Sequence, residues 1–298
     1  MDLEPTHLHA PTESSSGVAV SQEEAFRDLL LARLASGTIE LPVLSDVVQR
    51  VLVAASSETT DALTLSELIR QDQAITSHLF RVVNSALYSR GAAIVSLQQA
   101  VSRLGISMLR QMLLLVSCEV KAFQVKGREQ EMRADFKLAL VSGLVAQEIA
   151  RSLRKNVEEA FLGGLLHDVG RPIVLQTLVD VSRESDIGLS RASEDLIVDE
   201  LHATFGSTMM TRWRLSPALV EAVRFHHSPA DAPKESTMAA VLHFSDLVAR
   251  LALERPEALT EEQLRSHTVL SVLNFYPEDV DALLEKRKTL LEKATTTS

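Results

Sequence analysis

Apolar positions recur along this chain at intervals of three and four residues. Leu30, Leu31 and Leu34 form one such stripe, and Val43, Val47, Val48, Val51 and Leu52 a second. Leu65, Leu68 and Ile69, then Ile75, Leu79, Val82 and Val83, continue the period, which returns in Val141, Val145, Ile149 and Leu153. Residues so spaced share one face of an α-helix, whereas a strand would need alternation. No alternation persists long enough to demand a sheet, so the pattern predicts an all-α fold.

Capping chemistry places the helix ends. Ser21 with Glu24, Thr64 with Glu67, and Ser96 with Gln99 have the spacing of capping boxes, in which each side chain satisfies a free backbone N–H of the other. Asn156 with Glu159 starts a helix that runs into His167-Asp168, while Gly37 and Gly105 end helices. A long apolar helix is expected from Ile106 to Phe123, and another from Asp135 to Leu153. Arg171-Pro172 is expected to turn the chain. Further helices are expected over Ser190–His202, Gly206–Arg214, Pro217–His227, Thr237–Leu253, Glu261–Leu273 and Pro277–Ala294.

Pro5, Pro11, Gly17 and the run Ser14-Ser15-Ser16 mark residues 1–20 as a flexible tail, in which His7 and His9 are solvated. The polar stretch Gln124 to Arg133, containing Gly127, divides the rest into an N-terminal helical half, 21–125, and a second half, 126–298. The last helix carries Val280, Leu283, Leu284, Leu290 and Leu291, a face that suits either the core or a homodimer contact.

Composition narrows the function. Aromatic residues make up only 4% of the chain, in keeping with aliphatic helix packing. The single cysteine, Cys118, excludes an internal disulfide, lies in an apolar run, and fits a reducing compartment. The start lacks a basic, apolar leader, and the apolar run from Leu109 to Val120 is too short to span a bilayer. A cytoplasmic protein without membrane partners is expected. A net charge of −10 disfavours broad nucleic-acid binding. Residues 64–87 have the outline of a helix-turn-helix but no basic face, so DNA is not expected as a partner. The glycine pattern matches neither a dinucleotide fold nor a phosphate-cradling loop.

The chemistry concentrates in Phe161-Leu162-Gly163-Gly164-Leu165-Leu166-His167-Asp168-Val169-Gly170. This apolar run ends in an imidazole beside a carboxylate, groups that settle in a core only when paired or bound to metal. His202, His226, His227 and Asp246 follow, all residue types that ligate divalent cations. Simpler roles exist for them. Asp168 can orient His167, and one of His226 and His227 can close a helix C-terminus while the other faces solvent.

As a set, these strings resemble the ordered landmarks of HDOD domains. They comprise Leu41-Pro42-Val43-Leu44, Leu68-Ile69-Arg70-Gln71-Asp72, Asn84-Ser85-Ala86-Leu87-Tyr88-Ser89 and Ala100-Val101-Ser102-Arg103-Leu104-Gly105. The second half adds Gly163 to Gly170, His202-Ala203-Thr204-Phe205-Gly206, Trp213-Arg214-Leu215-Ser216-Pro217 and His226-His227-Ser228-Pro229. The resemblance implies a bacterial signalling protein, related to the HD phosphohydrolases, with an N-terminal helical bundle packed on an HD-like half.

HD hydrolases bind metal through an upstream His, the His-Asp pair and a distant Asp, for which His167, Asp168 and Asp246 are the matches. His202, His226 and His227 fall where two-metal relatives place further ligands. By the spacing of Ser142, Ala146, Ile149 and Ala150, the upstream slot holds Val141, which has no lone pair. Arg171 stands where two-metal phosphodiesterases have Lys, and Ser228-Pro229-Ala230-Asp231-Ala232-Pro233 replaces their Gly-Tyr-Pro loop. A degenerate metal site is therefore expected, with His167, Asp168, Arg171, His202, His226 and His227 lining the candidate cleft. The primary expectation is a non-enzymatic regulatory adaptor, without cofactor, that binds signalling proteins or a small nucleotide-like ligand. The alternative is a phosphohydrolase using Mn, Fe or Mg on a nucleotide or cyclic dinucleotide.

Overall fold

The computed structural model describes residues 15–39, 45–55, 60–84, 94–117, 125 and 127–295. Among these residues every regular element is helical. Leu41-Pro42-Val43-Leu44, Cys118, residues 85–89 and the first fourteen positions of the expected tail lie outside the described residues.

Helix α1 (Ser15–Ser36) begins ahead of the start expected at Ser21, which falls inside it. It buries Phe26 and Leu30. Although first in the chain, it packs on α8 and α9 of the second half rather than on the helices that follow it. Arg33 hydrogen-bonds to Glu184, and Arg27 lies 3.7 Å from Glu200. Gly37, at φ 72°, ends the helix in the left-handed conformation that glycine adopts without strain.

The N-terminal bundle consists of α2 (Asp46–Ala54), α3 (Ala62–Arg70), α4 (Gln73–Val83) and α5 (Leu97–Ser117). Val48, Val51, Leu65, Ile69, Ile75, Leu79 and Val83 of the predicted stripes are all buried. Asp61, not Thr64, caps α3 by accepting the Thr64 backbone N–H at 2.8 Å. A carboxylate one turn earlier thus displaces the expected box. At α5, Ser96 accepts the Gln99 N–H at 3.1 Å while the Gln99 side chain accepts from Val95 N. Gly105, at φ 76° and ψ 164°, breaks α5 where a stop was expected.

The second half is built from α6 (Glu129–Ser152), α7 (Val157–Leu166), α8 (Gly170–Ser185), α9 (Arg191–Arg212), α10 (Pro217–Arg224) and α11 (Ser236–Ala252). Four short helices close the fold: α12 (Glu261–Arg265), α13 (Leu270–Leu273), α14 (Pro277–Glu285) and α15 (Arg287–Thr295). They replace the two longer helices expected there, and α13, α14 and α15 cover α6 or α11. The face from Val280 to Leu290 that was open to two uses is buried against this core.

Two other expectations fail for physical reasons. Arg171-Pro172 does not turn the chain but occupies the first turn of α8. A proline there forfeits no hydrogen bond, because first-turn N–H groups have no helical acceptor. The break expected between His202 and Gly206 is absent, and α9 runs through both. Gly206 serves packing instead of termination.

Glycines set how closely the helices of this half approach. A Cβ on Gly164 would lie 2.7 Å from Gly143 Cα and 2.8 Å from the Ser142 carbonyl oxygen, so α6 and α7 touch backbone to backbone. A Cβ on Gly170 would collide with the His202 carbonyl oxygen and lie 2.6 Å from Gly206 N. The start of α8 therefore rests directly on α9, beside Asp168 and His202.

Neither contact can yield, because both neighbours are backbone. Gly170→Ala is expected to destabilise the protein by about 3 kcal/mol, read from its urea midpoint. Gly188→Ala, with nothing within 4 Å of its Cβ, is expected to change stability by less than about 1 kcal/mol, in the stabilising direction.

Candidate metal centre

Four elements deliver the six candidate ligands to one place. His167 and Asp168 lie in the turn that closes α7 and precedes α8, His202 sits mid-way along α9, and Asp246 is on α11. His226 and His227 occupy the turn after α10. His167, His202 and His226 are essentially unexposed, as are both carboxylates.

The imidazoles are held from behind. Each of three Nδ1 atoms donates to a backbone carbonyl: His167 to Gly164 at 2.7 Å, His202 to Val198 at 2.9 Å and His226 to Val223 at 2.6 Å. A carbonyl only accepts, so these nitrogens carry protons and each ring turns its Nε2 inward. For His226 this arrangement also closes the C-terminal end of α10, so the capping role and the inward role coexist. His227 is exposed, as one of the pair was expected to be, yet its Nε2 lies 2.9 Å from that of His202.

The inward atoms fall into two sets that share Asp168. In the first, His167 Nε2 lies 3.5 Å from Asp168 Oδ2 and 3.5 Å from Asp246 Oδ1. Both separations are long for a hydrogen bond, and His167 Nε2 and Asp246 Oδ1 are buried without a hydrogen-bond partner. In the second, Asp168 Oδ1 lies 3.2 Å from His202 Nε2 and 3.7 Å from His226 Nε2, which are 3.5 Å from each other.

Arginines surround the carboxylates. Arg250 donates from Nε to Asp246 Oδ2 at 2.8 Å and brings Nη2 to 4.0 Å from Asp168 Oδ2. Arg171 does not enter the cluster; it binds Asp199 at 2.6 Å and faces Asp135 at 3.8 Å. Arg255 completes this rim with a 3.1 Å bond to Asp135. Asp135, Arg250 and Arg255 were not singled out from the sequence, although Arg250 stands one helical turn after Asp246.

These contacts set the protonation states. Burial alone would lower the His167 pKa, but the Asp168 and Asp246 charges overcome it and hold the pKa up at about 9. Burial would raise Asp246, yet His167 and Arg250 bring it down to about 2. Asp168 is likewise held well below the usual carboxylate range, because the charges of His167 and His202 outweigh its burial. His226 moves the other way: burial and the neighbouring His227 and His167 charges keep its pKa well below the usual value. Burial and His202 lower His227 to about 4.

The first set is thus neutralised by the protein itself, through the His167 imidazolium and Arg250. The second set gathers a carboxylate oxygen and ring nitrogens around one point: Asp168 Oδ1 and the Nε2 atoms of His202 and His226 converge, with His227 Nε2 2.9 Å from that of His202. Such a cluster fits a divalent cation, and Asp168, His202, His226 and His227 would hold it. Three imidazoles with one carboxylate suit Fe, Mn or Zn better than Mg. Val141, expected in the upstream slot, is fully buried on α6. The next residue, Ser142, pairs its hydroxyl with that of Ser245 at 3.0 Å, beside Asp246.

Known proteins share this architecture. A protein from Shewanella amazonensis SB2B, provisionally named a metal-dependent phosphohydrolase, superposes with a TM-score of 0.71 at 21% identity, covering 92% of this chain and 99% of that one. A provisionally named signal transduction protein from Marinobacter aquaeolei VT8 gives a TM-score of 0.63 at 19% identity, covering 93% of this chain and 66% of that one. An uncharacterised protein from Treponema pallidum (strain Nichols) is 23% identical over 231 residues, 74% of this chain and 44% of the relative. The chain spans less than half the length of the curated relatives it matches. No helix among the described residues is long and apolar enough to cross a membrane. Residues 41–229, more than half of the chain, match the HDOD domain model, and the chain belongs to the HDOD family.

Proposed function

We propose that this chain is a regulatory signal-transduction protein whose HD-like half works by binding rather than by turnover. It holds one divalent transition-metal cation on Asp168, His202, His226 and His227, and it offers the surrounding cleft to a signalling protein or a small nucleotide-like ligand. The observation that supports this reading is the asymmetry of the two donor sets. The set next to the upstream slot has lost an imidazole to Val141 and carries its own cations. The other set keeps every donor and has no internal counter-charge of its own.

A cation bound there would neutralise Asp168 and attract an anionic oxygen such as that of a phosphate. Hydrolysis asks for more, namely an activated water and a clamp on the leaving group. With Asp246 engaged by Arg250 and no imidazole on α6, the chain's own residues supply neither. The intact histidine set favours a second reading, metal-dependent hydrolysis of a nucleotide or cyclic dinucleotide, and the experiments below separate the two.

Protein purified without chelator is expected to carry about one transition-metal equivalent per chain, measured by elemental analysis. His202→Ala and His226→Ala should each weaken Mn²⁺ affinity more than about tenfold. A screen of nucleotides and cyclic dinucleotides with Mn²⁺ should give no turnover above the metal blank. Turnover that His167→Ala and Asp168→Ala both abolish would replace the regulatory reading with the hydrolase.

The same electrostatics predict a pH profile for the chelator-treated protein. His167 rises from 6.5 unfolded to about 9 folded, so its stabilisation is complete below pH 6.5 and lost as pH climbs through 9. His227 falls from 6.5 to about 4, so the unfolded chain binds more protons between those values and stability drops on acidification. Unfolding midpoints should therefore peak near pH 6.5, and His167→Gln should remove the alkaline decline.

A further inference from the structure

Arg250 stands one turn after Asp246 on α11, a spacing that puts both side chains on one helix face. Its guanidinium reaches toward three carboxylates. Nε donates to Asp246 Oδ2 at 2.8 Å, Nη1 donates to Glu257 Oε1 at 2.9 Å, and Nη2 lies 4.0 Å from Asp168 Oδ2. Glu257 is half-exposed and belongs to the connection between α11 and α12, so the guanidinium is held from its outer side as well. Arg171, by contrast, is turned onto Asp199 and Asp135.

The donor set that Arg250 faces retains the shape of a cation site. His167, Asp168 and Asp246 each bring one ligand atom to within 4.8 Å of the others. His167 Nε2 and Asp246 Oδ1 lie 3.5 Å apart, buried and without a hydrogen-bond partner. An imidazolium and a carboxylate that were simply paired would close to about 2.8 Å. Shape therefore does not bar a cation from this set, but charge does. The guanidinium already balances the carboxylates, and it would repel a divalent ion placed among them at short range in a medium of low dielectric. The bond from Nε to Oδ2 leaves Asp246 Oδ1 free, as the outer contact of a ligating carboxylate does.

We infer that Arg250 is a specificity-determining residue that serves Asp246 and Asp168 as a resident cation, so that the cluster admits one divalent ion on its histidine set and none on the set beside it. Glu257 keeps the guanidinium in that place. The limit to one ion rests on the metal-binding reading above, whereas the closure of the first set by Arg250 does not. A salt bridge kept only for stability would not, on losing its guanidinium, open the set to a second ion.

Mn²⁺ titrations of the full, chelator-treated chain by calorimetry test this. Arg250→Gln drops the charge but carries an amide nitrogen as many bonds from Cα as the arginine Nε, so the bond to Asp246 can persist. It should raise the count from about one ion per chain to about two, whereas Arg250→Lys, which keeps the charge, should leave the count as in the wild type. In a His202→Ala/His226→Ala background, where the histidine set is disabled, Arg250→Gln should tighten Mn²⁺ binding more than about tenfold. That background separates the two readings. If the wild-type chain binds no Mn²⁺ and Arg250→Gln still gains an ion there, the reading of the histidine set fails and the assignment of Arg250 stands. A count unchanged by Arg250→Gln, an unchanged affinity in the disabled background, or equal gains in the Gln and Lys variants would each overturn the inference. Should Arg250→Gln not fold, Arg250→Met keeps the aliphatic stem without the charge and carries the same two readouts.

Discussion

Burying a carboxylate among imidazole lone pairs is costly unless positive charge accompanies it, and Asp168 is buried in that way from two sides. One of its oxygens faces His167 and Arg250, the other faces His202 and His226. On the first side the chain brings its own cations, and the His167 proton is held at about 9 by the charges that need it. On the second side His226 is kept well below its usual pKa by burial and by the like charges its proton would meet. The polarity of the site follows from this imbalance.

The scaffold enforces the arrangement because it cannot relax. Backbone contact between Gly143 and Gly164 locks α6 to α7, and contact between Gly170 and Gly206 locks α8 to α9. These two crossings fix where Asp168 emerges relative to His202, with only backbone atoms between them. Helix α1 braces α8 and α9 from outside, although it precedes the N-terminal bundle in the chain. A close-packed interior transmits small displacements instead of absorbing them.

A hydrolase and a regulator can share such a scaffold because the fold is maintained by packing, while turnover depends on a few donors. Val141 is fully buried in the aliphatic run of α6. Arg250 and His167 then supply the charge that the carboxylates still require. The likeness to proteins named for hydrolysis and for signalling, at identities near 20%, speaks to this common fold.

The sequence alone determined the helical period, most buried stripes, the stop at Gly105 and the residue types that could hold a metal, because these depend on neighbours three or four positions away. It could not determine that Asp61 would cap α3 ahead of Thr64, or that α9 would run unbroken through Gly206. The first is a competition between two local caps, and the second is settled by α8 lying against that glycine. Arg250 was also invisible, since one turn of helix after Asp246 carries no meaning until α7, α9 and the turn after α10 are brought alongside. Which way an imidazole points, and whether its lone pair meets a proton or another lone pair, is decided by carbonyls and charges far apart in the chain. Those partners exist only once the helices have packed.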